Sequence, residues 1–144
     1  MIILSIDPGN VSGVGVWDSV LPDNIETLEV PYTDTGDFVW GFLYDKASRI
    51  EMVVERYTMT GGIKTSQPDA LKLMGVLEWM AAFKQVPLHY YLPSTSKKTA
   101  DNKRLRRVGW YKATKDGHAN DGARLVLTHL ANRYPEIFGK IVGL

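Results

Sequence analysis

The chain has 144 residues, of which 44% are hydrophobic and 23% charged, and its formal net charge is +1. These values are typical of a soluble globular protein, and we expect residues 1–144 to form a single domain. The sequence has no cysteine, which excludes disulfides, zinc–thiolate sites and thiol nucleophiles. No basic region precedes the N-terminal apolar run, and no apolar stretch reaches the roughly 18 residues that span a membrane. An intracellular, cytoplasmic protein is therefore expected.

Apolar patterning predicts five strands and three helices along the chain. The first run, "MIILSI", is almost continuously apolar, as in a strand covered on both faces, and Pro8 and Gly9 then force a turn into an antiparallel strand. The strands are expected at residues 1–6, 11–17, 26–30, 50–55 and 87–92. The helices are expected at residues 34–49, with Asp34 or Thr35 as the cap, at 66–85 and at 118–134.

The order of these elements predicts the fold class. Strand–helix–strand units imply parallel pairing with right-handed crossovers, beside the antiparallel hairpin at the start. We therefore expect an α/β fold with a mixed five-stranded sheet, an antiparallel N-terminal hairpin and flanking helices. The sequence shows no internal repeat or low-complexity tract that would indicate a second domain.

Positive charge is concentrated in residues 94–115, "STSKKTADNKRLRRVGWYKATK", which we call the basic segment. It holds eight of the 17 Lys and Arg residues and a single acid, whereas residues 1–93 carry six basic and twelve acidic side chains. The segment is expected to mix loop with a short helix. A charge run is often only a solvated face. Here Trp110 and Tyr111 follow the charges, and aromatic rings beside cations suit nucleic-acid binding.

Acidic residues stand at the ends of two predicted strands, and an acid and a histidine open the last helix. We call these residues the four candidate ligands: Asp7, Glu55, His118 and Asp121. The i, i+3 spacing puts the last two on one helical face, so ligands from three elements could converge at one sheet edge. Hard oxygen ligands with one imidazole favour Mg²⁺ or Mn²⁺ over zinc. Carboxylates that lie close together repel one another unless a cation neutralises them.

Each candidate ligand also has an ordinary structural explanation. Asp7 could be an ordinary turn residue, and Glu55 could simply form an ion pair with Arg56 or Lys64. His118 could be a surface residue, and Asp121 could be a first-turn acid that the helix dipole favours. Asp116 is interpreted as the N-cap of the last helix rather than a ligand. His129 lies roughly 16 Å along the helix axis from His118, too far to share a metal.

Three segments of the chain resemble the signature segments of the RuvC family of Holliday-junction resolvases: "SIDPGNVSGVGVW", "VVERYTM" and "HANDGARLVLTHL". The resemblance extends through "DALKLMGVLEWMA" and "YLPSTSKK" to nearly the whole chain. It implies a ribonuclease H-like fold, a homodimer that acts on four-way DNA junctions, and two Mg²⁺ ions per active site, with Mn²⁺ able to substitute. The short chain is similar to compact phage versions of the family, which would act in the host cytoplasm.

The resemblance implies roles for individual residues. It assigns catalysis and metal binding to the four candidate ligands, which would support two-metal hydrolysis of a phosphodiester to 5′-phosphate and 3′-hydroxyl products. The family often has an aromatic residue three positions after the glutamate, where this chain has Thr58. The residues expected to bind DNA are Lys97, Lys98, Lys103, Arg104, Arg106, Arg107, Tyr57 and Lys64.

The predicted helix 66–85 has more apolar side chains than a single core-facing stripe can use. We expect it to cover the sheet with Leu71, Val76 and Leu77. The remaining apolar residues should meet a two-fold partner, or else lie under residues 34–49. These remaining residues are Met74, Trp79, Met80 and Phe83.

Other functions fit parts of the sequence. A less selective nuclease of the same fold would cut flaps, replication forks or RNA. A DNA-binding module without catalysis would bind junctions only, although the presence of all four candidate ligands argues against it. An ATPase of the actin and sugar-kinase type also has an aspartate followed by glycines, but it needs two lobes, for which 144 residues are too few.

Overall fold

The computed structural model describes residues 1–57 and 68–144, apart from the side chains of residues 45–47. Its strands are β1 (Ile2–Asp7), β2 (Val11–Asp18), β3 (Ile25–Pro31), β4 (Ile50–Glu55) and β5 (Leu88–Tyr91). They form one sheet in the spatial order β3-β2-β1-β4-β5. The β1–β2 and β2–β3 pairs are antiparallel, whereas the β1–β4 and β4–β5 pairs are parallel. The predicted mixed five-stranded sheet is confirmed.

Helices cover both faces of this sheet. They are α1 (Tyr32–Lys46), α2 (Pro68–Lys84), α3 (Pro93–Thr99), α4 (Asn102–Arg107), α5 (His118–Arg133) and α6 (Pro135–Val142), with a 3₁₀ turn at Ala47–Arg49. The basic segment therefore contains two short helices rather than one, and α6 lies beyond the last helix predicted from the sequence. Among the described residues, no helix is long and apolar enough to cross a membrane.

Two hydrophobic clusters lie on opposite faces of the sheet. Alternate residues of β1 point to opposite sides, so Leu4 packs with α1 and α2 while Ile3 packs with α5 and α6. The continuous apolar run at the N-terminus is thus buried on both faces, as its composition predicts. This burial places the central strands β1 and β4 firmly between two helical layers, and the carboxyl ends of both strands meet at one edge.

The start of α1 differs from the prediction. The helix begins at Tyr32, before the expected cap at Asp34 or Thr35. The buried Thr35 hydroxyl lies 3.0 Å from both the Ser12 hydroxyl and the Pro31 carbonyl oxygen. It ties the first turn of the helix to β2 instead of capping it.

The face that α2 turns to the sheet also differs from the prediction. Leu73, Leu77 and Met80 are buried in the core that α2 forms with α1 and the sheet, whereas Leu71 and Val76 are exposed. Of the residues expected to cover the sheet, only Leu77 does so. The helix has apolar side chains all around its axis, so periodicity alone could not identify the buried face.

Candidate metal centre and nucleic-acid interface

Parallel pairing of β1 and β4 brings two of the candidate ligands together. Ile6 is in register with Val54, so the next residues of the two strands, Asp7 and Glu55, leave the sheet at the same edge. A hydrogen bond joins the two carboxyl groups. The first part of the site is therefore a direct product of strand register.

Glycines let α5 approach the sheet more closely than any other residue would allow. A Cβ atom at Gly122 would lie 2.5 Å from the Val14 carbonyl carbon, and one at Gly13 would overlap the His118 carbonyl group. The Ser5 hydroxyl donates a 2.7 Å hydrogen bond to the Gly122 carbonyl oxygen. Since Gly13 pairs with the last residue of β1, this contact sets the first turn of α5 beside the strand end.

The strand ends and the first turn of α5 enclose a cavity of about 490 Å³. Its lining includes all four candidate ligands together with Tyr57 and Lys97. Residues 8–11, which lead from β1 into β2, form another wall. The cavity thus collects ligands from β1, β4 and α5, which are the three elements that the sequence indicated.

The electrostatics of the cavity favour a cation. Burial raises the pKa of Asp7 to about 8, and the charges of Glu55 and Asp121 add to this effect. Burial also raises the pKa of Glu55, against the opposing effect of a 3.1 Å hydrogen bond from the Ser96 hydroxyl. Three carboxyl groups in one cavity repel one another when ionised, and a divalent cation would relieve that repulsion. The donor set of hard oxygens and one imidazole fits Mg²⁺ or Mn²⁺.

Two further residues position the carboxylates, and the motifs did not indicate either of them. Ser96 on α3 holds Glu55, and Arg124 on α5 donates hydrogen bonds to Asp121 and to Asn102 at the start of α4. The sequence carries a signal for Arg124 alone, which lies three positions after Asp121 and therefore on the same helical face. These contacts connect the basic segment to the candidate metal centre.

The six basic residues of the basic segment that are expected to bind DNA lie on α3 and α4, and their side chains are exposed. Lys97 lines the cavity of the four candidate ligands, where its positive charge lowers the pKa of Asp7 and so offsets part of the increase caused by burial. The Arg106 guanidinium lies 4.2 Å from the centre of the Tyr111 ring. Tyr57 lines the same cavity, whereas Thr58 and Lys64 lie outside the described residues.

Two local expectations are wrong. Trp110 is only 3% exposed and donates a 2.9 Å hydrogen bond to the Asp23 carbonyl oxygen, so it belongs to the core and not to a nucleic-acid surface. The N-cap of α5 is Gly117, in the left-handed conformation with φ 74°, and not Asp116. The charged neighbours of Trp110 in the sequence suggest an exposed surface, whereas its buried ring attaches the basic segment to the loop that contains Asp23.

A second cluster of ionisable residues lies away from the four candidate ligands. Glu51, His89 and His129 each offer a donor atom, and the three atoms lie within 4.8 Å of one another. Burial lowers the pKa of His129. Burial alone would raise the pKa of Glu51, but hydrogen bonds with Tyr134 and His129 hold it below its usual value. In the strand "IEMVVE" alternate side chains share a face, so Glu51 lies on the face that packs against α5. The strand pattern therefore indicates an acid on a covered face of the sheet.

The raised pKa of Asp7 makes the stability of the metal-free protein depend on pH. Because the carboxyl group binds its proton more tightly in the folded state, its stabilising contribution is complete below about pH 4 and is lost as the pH rises to about 8. Asp7→Asn should remove this loss and raise the free energy of unfolding at pH 8 by about 1–3 kcal/mol, with a smaller gain at pH 5. Thermal denaturation with a chelator, at both pH values, measures the difference. An equal effect of Asp7→Asn at both pH values would contradict the raised pKa of Asp7. The control is Asp116→Asn, at an exposed position.

Comparison with known proteins gives matches to solved structures alone. No protein-family model matches the chain, and no curated protein matches its sequence. T. thermophilus RuvC in complex with a Holliday junction substrate matches with a TM-score of 0.63 at 19% identity, over 93% of this chain and 96% of that chain. A second Thermus thermophilus RuvC structure matches with a TM-score of 0.61 at 19% identity, over 92% of this chain and 96% of that chain. The chain therefore has the ribonuclease H-like fold of RuvC, and the predicted fold is confirmed.

Proposed function

We propose that this protein is a divalent-metal-dependent endonuclease of the RuvC family that resolves four-way DNA junctions by paired incision. The observation that carries the proposal is the single cavity in which the four candidate ligands meet Lys97. The similarity in fold to a RuvC–junction complex supports the choice of substrate. We further propose that residues 1–144 act as one nuclease domain inside the cell, as expected for a compact phage version of the family.

The proposed mechanism assigns a task to each side chain. The four candidate ligands would hold two Mg²⁺ ions, or Mn²⁺ in their place. Bound at this site, the cations would supply an activated water and charge stabilisation for the leaving 3′ oxygen. Ser96 would keep Glu55 oriented, and Arg124 would do the same for Asp121. Lys97 would bind a phosphate at the cavity mouth and help to place the scissile bond.

A substrate panel tests the proposal and separates it from its alternatives. The protein is incubated with a four-way junction, a flap, a fork, a linear duplex and a structured RNA, with and without Mg²⁺. We expect symmetric nicks in the junction only, and only with Mg²⁺. Cleavage of flaps, forks or RNA would indicate a broader nuclease of the same fold. Junction binding without cleavage of any substrate would indicate an inactive binding module.

The basic residues of α3 and α4 should bind DNA through phosphates and not through bases. Reversing the charges of Lys97 and Lys98, or of Arg106 and Arg107, should weaken binding to every DNA shape alike. The salt dependence of log K should become shallower by about 0.9 for each phosphate that the variant no longer binds. The control is Lys140→Glu, an exposed lysine on α6 that lies outside both the basic segment and α2. Unchanged affinity and salt slope in both double variants would mean that the basic segment is only a solvated surface.

The homodimer is proposed to form through α2. Trp79 is 58% exposed and Phe83 is 63% exposed, although Trp79 stacks with Trp40 of α1 and Phe83 stacks with Trp79. The aromatic cluster is thus only partly covered within one chain, and a two-fold partner would cover the rest. A dimer would also present one metal site to each of two strands of a junction.

Trp79→Glu is expected to yield monomers that fail to make paired incisions. A carboxylate buried at the centre of an apolar interface would lose its hydration, so association should be lost while the fold is kept. Sedimentation at micromolar concentration measures the assembly, with Val20→Glu, in the turn between β2 and β3, as the control. A monomeric unmodified protein that still nicks both strands would rule out the dimer.

A further inference from the structure

The cluster of Glu51, His89 and His129 lies at the opposite end of β4 from the candidate metal centre. Glu51 precedes Glu55 by four residues on the same strand, which separates the two clusters by about 13 Å. The cluster is formed by β4, β5 and α5, one residue from each. It is therefore independent of the four candidate ligands and needs its own explanation.

We propose that Glu51, His89 and His129 form a second cation site, selective for a late first-row divalent cation such as Zn²⁺. The Glu51 carboxylate oxygen Oε2 lies 2.8 Å from the His129 Nε2 atom and 3.3 Å from the His89 Nε2 atom. One carboxylate oxygen thus faces two imidazole nitrogens from two other elements. This is a two-histidine, one-carboxylate donor set, which leaves a fourth zinc position for water.

Two of the three separations between these donor atoms are close to the value that zinc requires, and the third, between the two histidine donors, is no more than 4.8 Å. Ligands at about 2.0–2.1 Å from a tetrahedral zinc lie about 3.3 Å from one another. The Glu51–His89 separation of 3.3 Å already has this value, and the Glu51–His129 separation of 2.8 Å needs an increase of only about 0.5 Å. Rotation of the carboxylate, without movement of the backbone, can supply such a change.

Outer hydrogen bonds hold the donors in place, as they do around zinc sites generally. The other ring nitrogen of His129, Nδ1, lies 3.1 Å from the Tyr91 hydroxyl. The Tyr134 hydroxyl donates to the second oxygen of the Glu51 carboxylate, Oε1. The His89 and His129 rings also pack against each other with 4.6 Å between their centres. Without a cation, the Glu51 oxygen Oε2 and the His129 nitrogen Nε2 are hydrogen-bonded to each other, and a bound cation would replace that hydrogen bond.

The donor set distinguishes this site from the candidate metal centre. Imidazole donors bind Zn²⁺ far better than they bind Mg²⁺, whereas a carboxylate-rich site suits Mg²⁺ and Mn²⁺. The side chains of His89 and Glu51 are 25% and 20% exposed, so a cation can reach the site from solvent. Bound zinc would join β4, β5 and α5, so its role would be to stabilise the fold.

Zinc titration of variants tests the proposal. The Asp7→Asn/His118→Gln double variant removes donors from the candidate metal centre, so zinc bound there does not obscure the result. This double variant should still bind one Zn²⁺ by equilibrium dialysis, and Zn²⁺ should raise its melting temperature. Adding His89→Gln, which keeps a hydrogen-bond donor, should weaken Zn²⁺ binding tenfold or more and abolish the rise. Adding Glu51→Gln provides a second test in case the first triple variant does not fold.

Two results would overturn the zinc site. One is a double variant that binds no Zn²⁺, which would mean that the cluster is a metal-free hydrogen-bonded network. The other is equal Zn²⁺ affinity with and without His89→Gln. A zinc-edge anomalous map of crystals of the unmodified protein gives the same answer without any variant, because its peak should lie between Glu51, His89 and His129. These results are independent of whether the protein cleaves junctions.

Discussion

Asp7→Asn should reduce junction cleavage by about 10³-fold or more, which corresponds to at least ~4 kcal/mol of lost transition-state stabilisation. The amide keeps the shape of the side chain at the end of β1 but removes the charge that would hold a divalent cation. Asp121→Asn and Glu55→Gln should have effects in the same direction, because their carboxylates line the same cavity. Single-turnover cleavage of a labelled four-way junction, with enzyme in excess, measures the loss directly.

Junction binding should survive in all three variants. The basic helices α3 and α4 remain intact, and phosphate contacts supply most of the affinity of such proteins for DNA. Gel-shift affinity in the absence of Mg²⁺ checks this point, and Asp116→Asn serves as the matched control, since that exposed acid lies just before α5. Full nuclease activity in Asp7→Asn would refute the proposed active site.

Gly122→Ala should destabilise the protein by about 3 kcal/mol, although alanine is the better helix former. The added Cβ atom would lie 2.5–2.8 Å from backbone atoms of Val14 and Gly15, which cannot move without distorting β2. For a domain of this size the melting temperature should fall on the order of 10 °C. Because α5 would have to retreat from the strand, Asp121 should move away from Asp7 and cleavage should also fall.

Gly41→Ala is the matched control for this substitution. Gly41 is also helical, in α1, and a Cβ atom there would have nothing within 4 Å. The same chemical change should therefore stabilise the protein by about 0.5–1 kcal/mol through helix propensity. Thermal denaturation of the two variants side by side measures the contrast. Equal stability of both variants would show that the close approach of α5 to β2 is not needed.

The sheet could be predicted from the sequence because its signals are local. Buried strands appear as short apolar runs, and turn residues such as Pro8 and Gly9 mark where they end. The sequence also predicts that the four candidate ligands lie close together, because acids stand at the carboxyl ends of two strands that are expected to run parallel. The structure places all four in one cavity. Their roles in binding metal stay a prediction.

Other features depend on tertiary contacts that no local pattern encodes. Gly13 and Gly122 are 109 positions apart in the sequence, and only the folded chain shows that both are needed for the close approach of α5 to β2. Trp110 lies among charged residues but is buried against the loop that contains Asp23, so its neighbours in sequence were misleading. The second cluster has no signature in the sequence around His129, because no neighbour of His129 on α5 belongs to it. Its partners Glu51 and His89 come from two strands.

Anomalous diffraction from crystals soaked in Mn²⁺ tests the central claim most directly, since the claim is that the four candidate ligands hold divalent cations. The account predicts two manganese peaks in the cavity between β1, β4 and α5, and the loss of at least one of them in Asp7→Asn crystals. Crystals that diffract well, contain Mn²⁺ and show no peak in this cavity would contradict it.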